Sequence, residues 1–227
     1  IIAVTFTGWT AIRLILNGEA VMKRKYLTGD EINSLLKTIT RDRVSVRDYC
    51  MVSMAFLHGL RVSELTALRL TDYDPLSRKI YIARLKGGMS TSHPLLPEEN
   101  AALQVWLAER QGLAGQHQPW LFLSQRGTRL SRQRFYQLLR RYGERAGLPL
   151  SLHPHMLRHA CGYNLAERGN DTRLIQDYLG HRNIRHTVLY TAANAMRFNH
   201  VWLKDATLPL MSPLQDALPV GVLCKDV

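Results

Sequence analysis

Apolar residues recur at helical spacing through most of the chain, and only one stretch alternates as a half-buried strand does. Ile32, Leu35, Leu36 and Ile39 share one face. Ahead of them Thr28 and Glu31 stand three apart, with Leu27 and Ile32 flanking, which is the pattern of a capping box and its hydrophobic staple. A first helix is therefore predicted from Thr28. A second is predicted from about Asp48 to His58, stopped by Gly59, with a short helix opening near Ser63 and Glu64, so that Arg61 sits in the bend between them. Lys79 to Leu85 alternates and is rich in strand formers, Gly87-Gly88 reverses the chain, and Thr91 to Leu96 returns it. That predicts a β-hairpin with Lys86 at its tip.

Helical patterning then resumes. Pro97 opens a helix with Leu103, Trp106, Leu107 and Arg110 in register, and Ser131 caps another whose apolar face is Phe135, Leu138, Leu139 and Tyr142, ending at Gly147. Further helices are predicted over 154–168 and 171–179, closed by Gly169 and Gly180, and a last one over 183–194. The fold class expected is α+β, mainly helical, with a small antiparallel sheet. Three regions are delimited: a segment of residues 1–21 with only two charges, Arg13 and Glu19; a main domain of residues 22–204; and a Pro-interrupted tail of residues 205–227. Met22 marks the composition shift and is the expected start of the protein, although the preceding segment can equally be read as a packing arm.

Charge changes the picture. The 227 residues hold 30 Lys and Arg against 18 Asp and Glu, a net +12, and such a surplus calls for an acidic partner, with nucleic acid foremost. Half of it is concentrated. Arg126, Arg129, Arg132, Arg134, Arg140, Arg141 and Arg145 share 20 residues with one acid, Glu144, and lie off the apolar face. Arginine without compensating glutamate suits phosphate recognition better than mere solvation. The first six of these, with Lys23, Arg24 and Lys25, are the candidate DNA-backbone contacts. Cys50, Cys161 and Cys224 are too scattered for a disulfide framework or a zinc ribbon, which fits a reducing, cytoplasmic compartment. The most apolar stretch, residues 1–16, is too short and polar to span a membrane and lacks the basic start of a signal peptide.

Candidate chemistry gathers in five basic residues and a tyrosine. Pro154 opens a helix, so His155 and Arg158, three apart, should project together near its positive end, where an anion is favoured. Arg61, Lys86 and His181 can complete a phosphate cradle. A phosphodiester under attack gains negative charge, and two guanidinium groups at about 4 Å, each worth roughly 4 kcal/mol at an effective dielectric of 20, can balance it without a metal. Tyr190, with an ordinary phenol pKa of about 10, needs nearby cations or a base such as His155 to act as a nucleophile. Tyr178 is a rival, but shares an apolar face with Leu174 and Leu179 and is expected to be buried. The triplet His153, His155 and His159 invites a zinc reading; Met156 stands where a zinc hydrolase would need Glu, so no metal or other cofactor is expected. The acidic clusters of a two-metal nuclease are likewise absent from the sequence.

The runs Gly59-Leu60-Arg61-Val62-Ser63-Glu64-Leu65, His153-Pro154-His155-Met156-Leu157-Arg158-His159 and Leu179-Gly180-His181, followed by Tyr190, resemble the motifs of the tyrosine site-specific recombinases. The text from Lys23 to Phe198, about three quarters of the chain, is most similar to the fimbrial phase-variation invertases. The resemblance implies the integrase catalytic fold. It implies that Arg61 and Arg158 clamp the scissile phosphate, that His155 and His181 assist, that Lys86 is the general acid and that Tyr190 forms a 3′-phosphotyrosyl bond, which needs neither ATP nor metal. Glu64 would brace the Arg61 bend. Only 60 residues precede Arg61, so the likeness is to a catalytic domain nearly alone. Implied partners are double-stranded DNA with inverted repeats, a homo-tetramer on that DNA and DNA-bending accessory proteins, at the nucleoid. A DNA-binding regulator that has lost catalysis, and a relaxing topoisomerase with similar chemistry, are the rival readings.

Overall fold

The computed structural model of the protein describes residues 24–41, 45–85 and 87–192, together with the backbone of 14–16 and 19–21. Lys23, Lys86, Cys224 and the expected tail lie outside the described residues. The two backbone stretches form an antiparallel hairpin, β1 (Leu14–Leu16) and β2 (Glu19–Val21).

The first helix, α1 (Gly29–Arg41), begins as predicted. The Thr28 amide donates to Glu31 Oε2 at 2.8 Å and the Glu31 amide to Thr28 Oγ1 at 3.3 Å, while Ile32, Leu35 and Ile39 are buried. Helix α2 (Val46–Leu57) starts two residues earlier than the pattern suggested. Ser45 is the cap, accepting from the Asp48 amide at 3.2 Å, and Asp48 is instead buried in a bond with Arg47 (2.8 Å) and with the Tyr142 hydroxyl (2.9 Å). Cys50, Met51, Val52, Met54 and Ala55 are all buried. A helix so apolar all round must lie inside, and α2 packs against α1, α4 (Pro97–Gln111) and α6 (Pro154–Glu167). It ends at His58, and Gly59 takes a left-handed φ of 56°.

The sheet is small, with order β3 (Tyr73–Asp74), β4 (Lys79–Ile82), β5 (Thr91–Pro94), all antiparallel. Its hairpin arms are shorter than expected. Register runs from Lys79 opposite Pro94 to Ile82 opposite Thr91, and there the ladder stops, because the Arg84 amide donates to Ser90 Oγ (3.0 Å). Pro97 opens α4, whose Leu103 and Trp106 are buried. At its end Arg110 is buried and ties down the next loop by donating to the carbonyls of Gln116 (2.9 Å) and Trp120 (2.9 Å).

Helix α5 (Arg132–Arg145) is capped by Ser131, which accepts from the Arg134 amide at 3.1 Å, and buries the predicted face of Phe135, Leu138, Leu139 and Tyr142. Helices α6, α7 (Thr172–Leu179) and α8 (Arg185–Ala192) follow, α7 closing on Gly180 at φ 64°. The predicted apolar face of α7 is corrected: Ile175 and Leu179 are buried, whereas Leu174 is exposed. Most of the core is one cluster around α2, and a second, smaller one joins Cys161, Ala166, Ile175, Leu179 and Tyr190. Among the described residues no helix is long and apolar enough to cross a membrane.

Candidate active site

Three turns meet above the end of α2. The first carries Arg61, which precedes the short helix α3 (Val62–Leu65) with extended backbone. Glu64, on that helix, is buried and accepts from the Arg61 amide at 2.9 Å and from Arg61 Nη1 at 2.6 Å. It does more than brace the bend. Arg84 Nη1 lies 3.0 Å from its Oε2, and Arg158 Nη1 lies 4.0 Å from the same atom. One carboxylate thus holds three guanidinium groups. Burial alone would raise its pKa, but the Arg61 amide and the Arg84 and Arg61 charges together outweigh that and hold it below the ordinary carboxylate value.

Arg158 projects inward from α6, donating through Nη1 to the Gly59 carbonyl and through Nη2 to the Leu179 carbonyl at 2.7 Å. Burial, then the Arg61 and Arg84 charges, lower its pKa to about 10, so it remains a cation at neutral pH. His181 follows Gly180, its amide bonded to the Gln176 carbonyl (3.0 Å) and its Nδ1 2.8 Å from Thr187 Oγ1. Burial, with Arg158 and Arg61 beside it, lowers its pKa to about 3. The ring is neutral, and in the tautomer whose Nδ1 accepts from Thr187, Nε2 carries a hydrogen that can reach an anion in the cleft. Arg61, Leu85, Gly88, Gly180 and His181 line an open cleft of about 660 Å³.

Tyr190 stands behind this cleft. It is 3 % exposed, its ring lies stacked against His181 (centroids 6.2 Å apart) and edge-on to Tyr163 (5.1 Å), and it packs so closely on Gly162 that a Cβ there would be 2.6 Å from Cε2. Its hydroxyl is 3.0 Å from His159 Nδ1. Burial raises the phenol pKa to about 12 despite the pull of Arg158. The histidine that meets the phenol is therefore His159. His155 is exposed on the first turn of α6, three residues from the buried Arg158. Tyr178 is half-buried and donates to the Leu57 carbonyl at 2.9 Å, a packing role. Among the described residues no group of His, Cys, Asp or Glu is arranged to hold a metal ion.

The expected DNA contacts divide. Arg126, Arg132, Arg134, Arg140 and Arg141 are exposed, as is Lys25, and Arg140 meets Glu144 at 3.0 Å. Arg24 is half-buried on Glu31 and Tyr26 and serves to hold the start of α1. Arg129 also has structural work, since its Nε donates to the Thr66 carbonyl at 2.7 Å and its guanidinium covers Trp120. Reading from sequence missed Arg84, although it stands in phase with the buried Ile80 and Ile82, four and two residues before it.

Residues 25–197 match the family model described as the phage integrase family. The chain belongs to that family. The expectation of a tyrosine recombinase, an enzyme that cleaves and rejoins DNA, therefore holds, as does the mainly helical fold with a small sheet. The recombinase is 53 % identical over 180 residues to the type 1 fimbriae regulatory protein FimB of Escherichia coli K12, covering 79 % of this chain and 90 % of that one. It is 52 % identical over 184 residues to FimE of Shigella flexneri, covering 81 % and 93 %. Among solved structures it resembles the XerA recombinase (TM-score 0.68, 28 % identity, 81 % of this chain and 65 % of that one). It also resembles XerH bound to palindromic difH in a post-cleavage complex (0.67, 25 %, 79 % and 53 %). The recombinase thus spans a little under two thirds of the XerA chain and about half of the XerH chain.

Three histidines here are held neutral by the fold. His93 and His181 are brought to about 3 and His159 to about 4, burial being the main cause in each. An unfolded histidine titrates near 6.5. Below that the unfolded chain binds protons that the folded one refuses, so stability present above about pH 6.5 is lost as pH falls toward 4. The melting temperature should fall steeply across that window, and His93→Gln should flatten the fall. A melting temperature constant from pH 7 to 4.5 would contradict this.

Proposed function

We propose that this recombinase cuts and rejoins duplex DNA at short inverted repeats and so inverts a promoter-bearing segment that governs fimbrial expression. The observation that carries the reading is the Glu64-centred arginine set, opening on a cleft with neutral His181 on its far wall and Tyr190 packed directly behind. Fixed cations in a protected site stabilise the charge that a phosphodiester develops under attack. Tyr190 Oη bonds to phosphorus and the bond to the 5′ oxygen breaks. The phenol proton passes to the histidines of α6, and the departing oxygen takes a proton from Lys86. The 3′-phosphotyrosyl bond keeps the phosphoester energy, so a 5′ hydroxyl from another strand can reverse the step. The similarity to FimB and FimE, which are type 1 fimbriae regulatory proteins, supports the fimbrial side of this reading. Four copies assemble on paired sites, DNA-bending proteins assist, and the enzyme works at the nucleoid.

The test is a plasmid carrying two inverted sites, scored by restriction digestion. Inversion is expected; relaxation of any supercoiled plasmid without inversion would favour the topoisomerase reading. DNA affinity gives a second check. If the exposed arginines of α5 and the cleft neutralise six to ten phosphates, log K should fall against log salt with a slope of roughly −5 to −9, and Arg141→Ala should reduce it by about one. Fluorescence anisotropy measures this, and a flat salt dependence would remove the basic face from the interface.

A further inference from the structure

Helices α2 and α7 end facing one another. Their last carbonyls have no partner within the helix, and each helix end carries partial negative charge. Two guanidinium groups bridge them. Arg158 joins Gly59 to Leu179. Arg84 runs alongside, donating through Nη2 to the carbonyls of His58 (3.0 Å) and Tyr178 (2.6 Å) and through Nη1 to Glu64 (3.0 Å) and Gly59 (3.4 Å). Its side chain is wholly shielded from solvent and its Nε has no partner. Two glycines close around it: a Cβ on Gly180 would lie 2.7 Å from Arg84 Cγ, and one on Gly88 would lie 2.6 Å from the Gly180 carbonyl oxygen and 3.1 Å from Arg84 Cβ.

Arg61 comes two residues after Gly59, and His181 three residues after Tyr178. The bridge therefore sits beneath both walls of the cleft. Arg158 is also to bind phosphate in the proposed reaction, so its bonds must share that task; Arg84, sealed beneath, is the bridge that stays constant. We infer that Arg84 is a positioning residue for strand cleavage: by tying the end of α2 to the end of α7 it sets the separation of Arg61 and His181 to the width of one phosphate. This rests on the reading of those two residues as phosphate ligands.

The experiment uses the full chain on a nicked site that traps the covalent adduct, at saturating protein. The scissile phosphate is used unmodified and as each stereoisomer of a methylphosphonate, which lacks one charged oxygen. Arg84→Lys keeps the charge but cannot span four acceptors, and Arg84→Met loses both. For each the adduct should form roughly 10²-fold more slowly, the scale of a misplacement of about 1 Å, while DNA affinity holds within about threefold. One methylphosphonate isomer should recover most of the deficit, because the displaced guanidinium then has no oxygen to miss. A purely structural loss would be the same on all three substrates, and that result, or cleavage at the wild-type rate, would overturn the proposal. If neither variant folds, Gly88→Ala wedges the hairpin from α7 without removing a buried charge, and the same substrate pattern decides. Arg61→Ala is run beside them. If it cleaves normally, the phosphate-clamp reading fails and takes this inference with it; if it is inactive while the Arg84 variants cleave normally, only the inference about Arg84 fails.

Discussion

Tyr190→Phe is expected to leave a folded protein that binds its DNA site and forms no covalent adduct. Phe keeps the ring that packs on Gly162, Tyr163 and His181, and removes only the oxygen facing His159. The structural cost is one hydrogen bond, about 1 kcal/mol, visible as a small fall in the urea midpoint. Removing the attacking atom should cost on the order of 10⁴-fold or more in cleavage. Adduct on a denaturing gel and inversion of the two-site plasmid measure it. Undiminished inversion by the variant would end the assignment of Tyr190 and return the argument to a different nucleophile.

The largest effect on stability is expected at Glu64→Gln. The amide keeps the shape but not the charge, and three guanidinium groups are left facing a neutral neighbour: those of Arg84 and Arg158, both buried, and that of Arg61, partly so. Breaking a buried ionic cluster by removing one partner typically costs about 3–5 kcal/mol, because the desolvated charge that remains is unbalanced. Arg61→Ala should be milder, since its side chain is 21 % exposed and Arg84 still meets the carboxylate. Equilibrium urea unfolding of the two variants gives the comparison. A loss under about 1 kcal/mol for Glu64→Gln would mean that the cluster is far better hydrated than its burial suggests.

Features that depend on near neighbours in the chain were readable from sequence. The Thr28–Glu31 box, the Ser131 cap, the glycine stops at Gly59 and Gly180 and the face of α5 each draw on residues within a turn of one another. So did the bend at Arg61, because Glu64 is three residues away. Arg84 was not readable: its acceptors come from His58, Gly59, Glu64 and Tyr178, and the longest of those links crosses 94 residues. The strand Tyr73–Asp74 has two residues, too few to show a period. The second helix was expected from about Asp48, but Asp48 is buried with Arg47 and Tyr142, and the cap is Ser45. The candidate cradle residues were legible only as residue types in order. That His159, rather than His155, would meet the phenol followed from which side of α6 packs on α8, and that is a tertiary fact.

The sheltered phenol has a consequence for how a cutting enzyme can rest safely on a genome. The cleft presents Arg61 and His181 at its surface, while the hydroxyl proposed to attack the backbone is buried and occupied by His159. Freeing it means giving up a neutral hydrogen bond of about 1 kcal/mol and baring an aromatic ring, worth about 2–3 kcal/mol. Specific DNA binding commonly exceeds non-specific binding by about 4–10 kcal/mol. With Tyr190 as the proposed nucleophile, a correct target could meet that cost where a chance encounter would fall short, and discrimination would then act on cutting as well as on attachment.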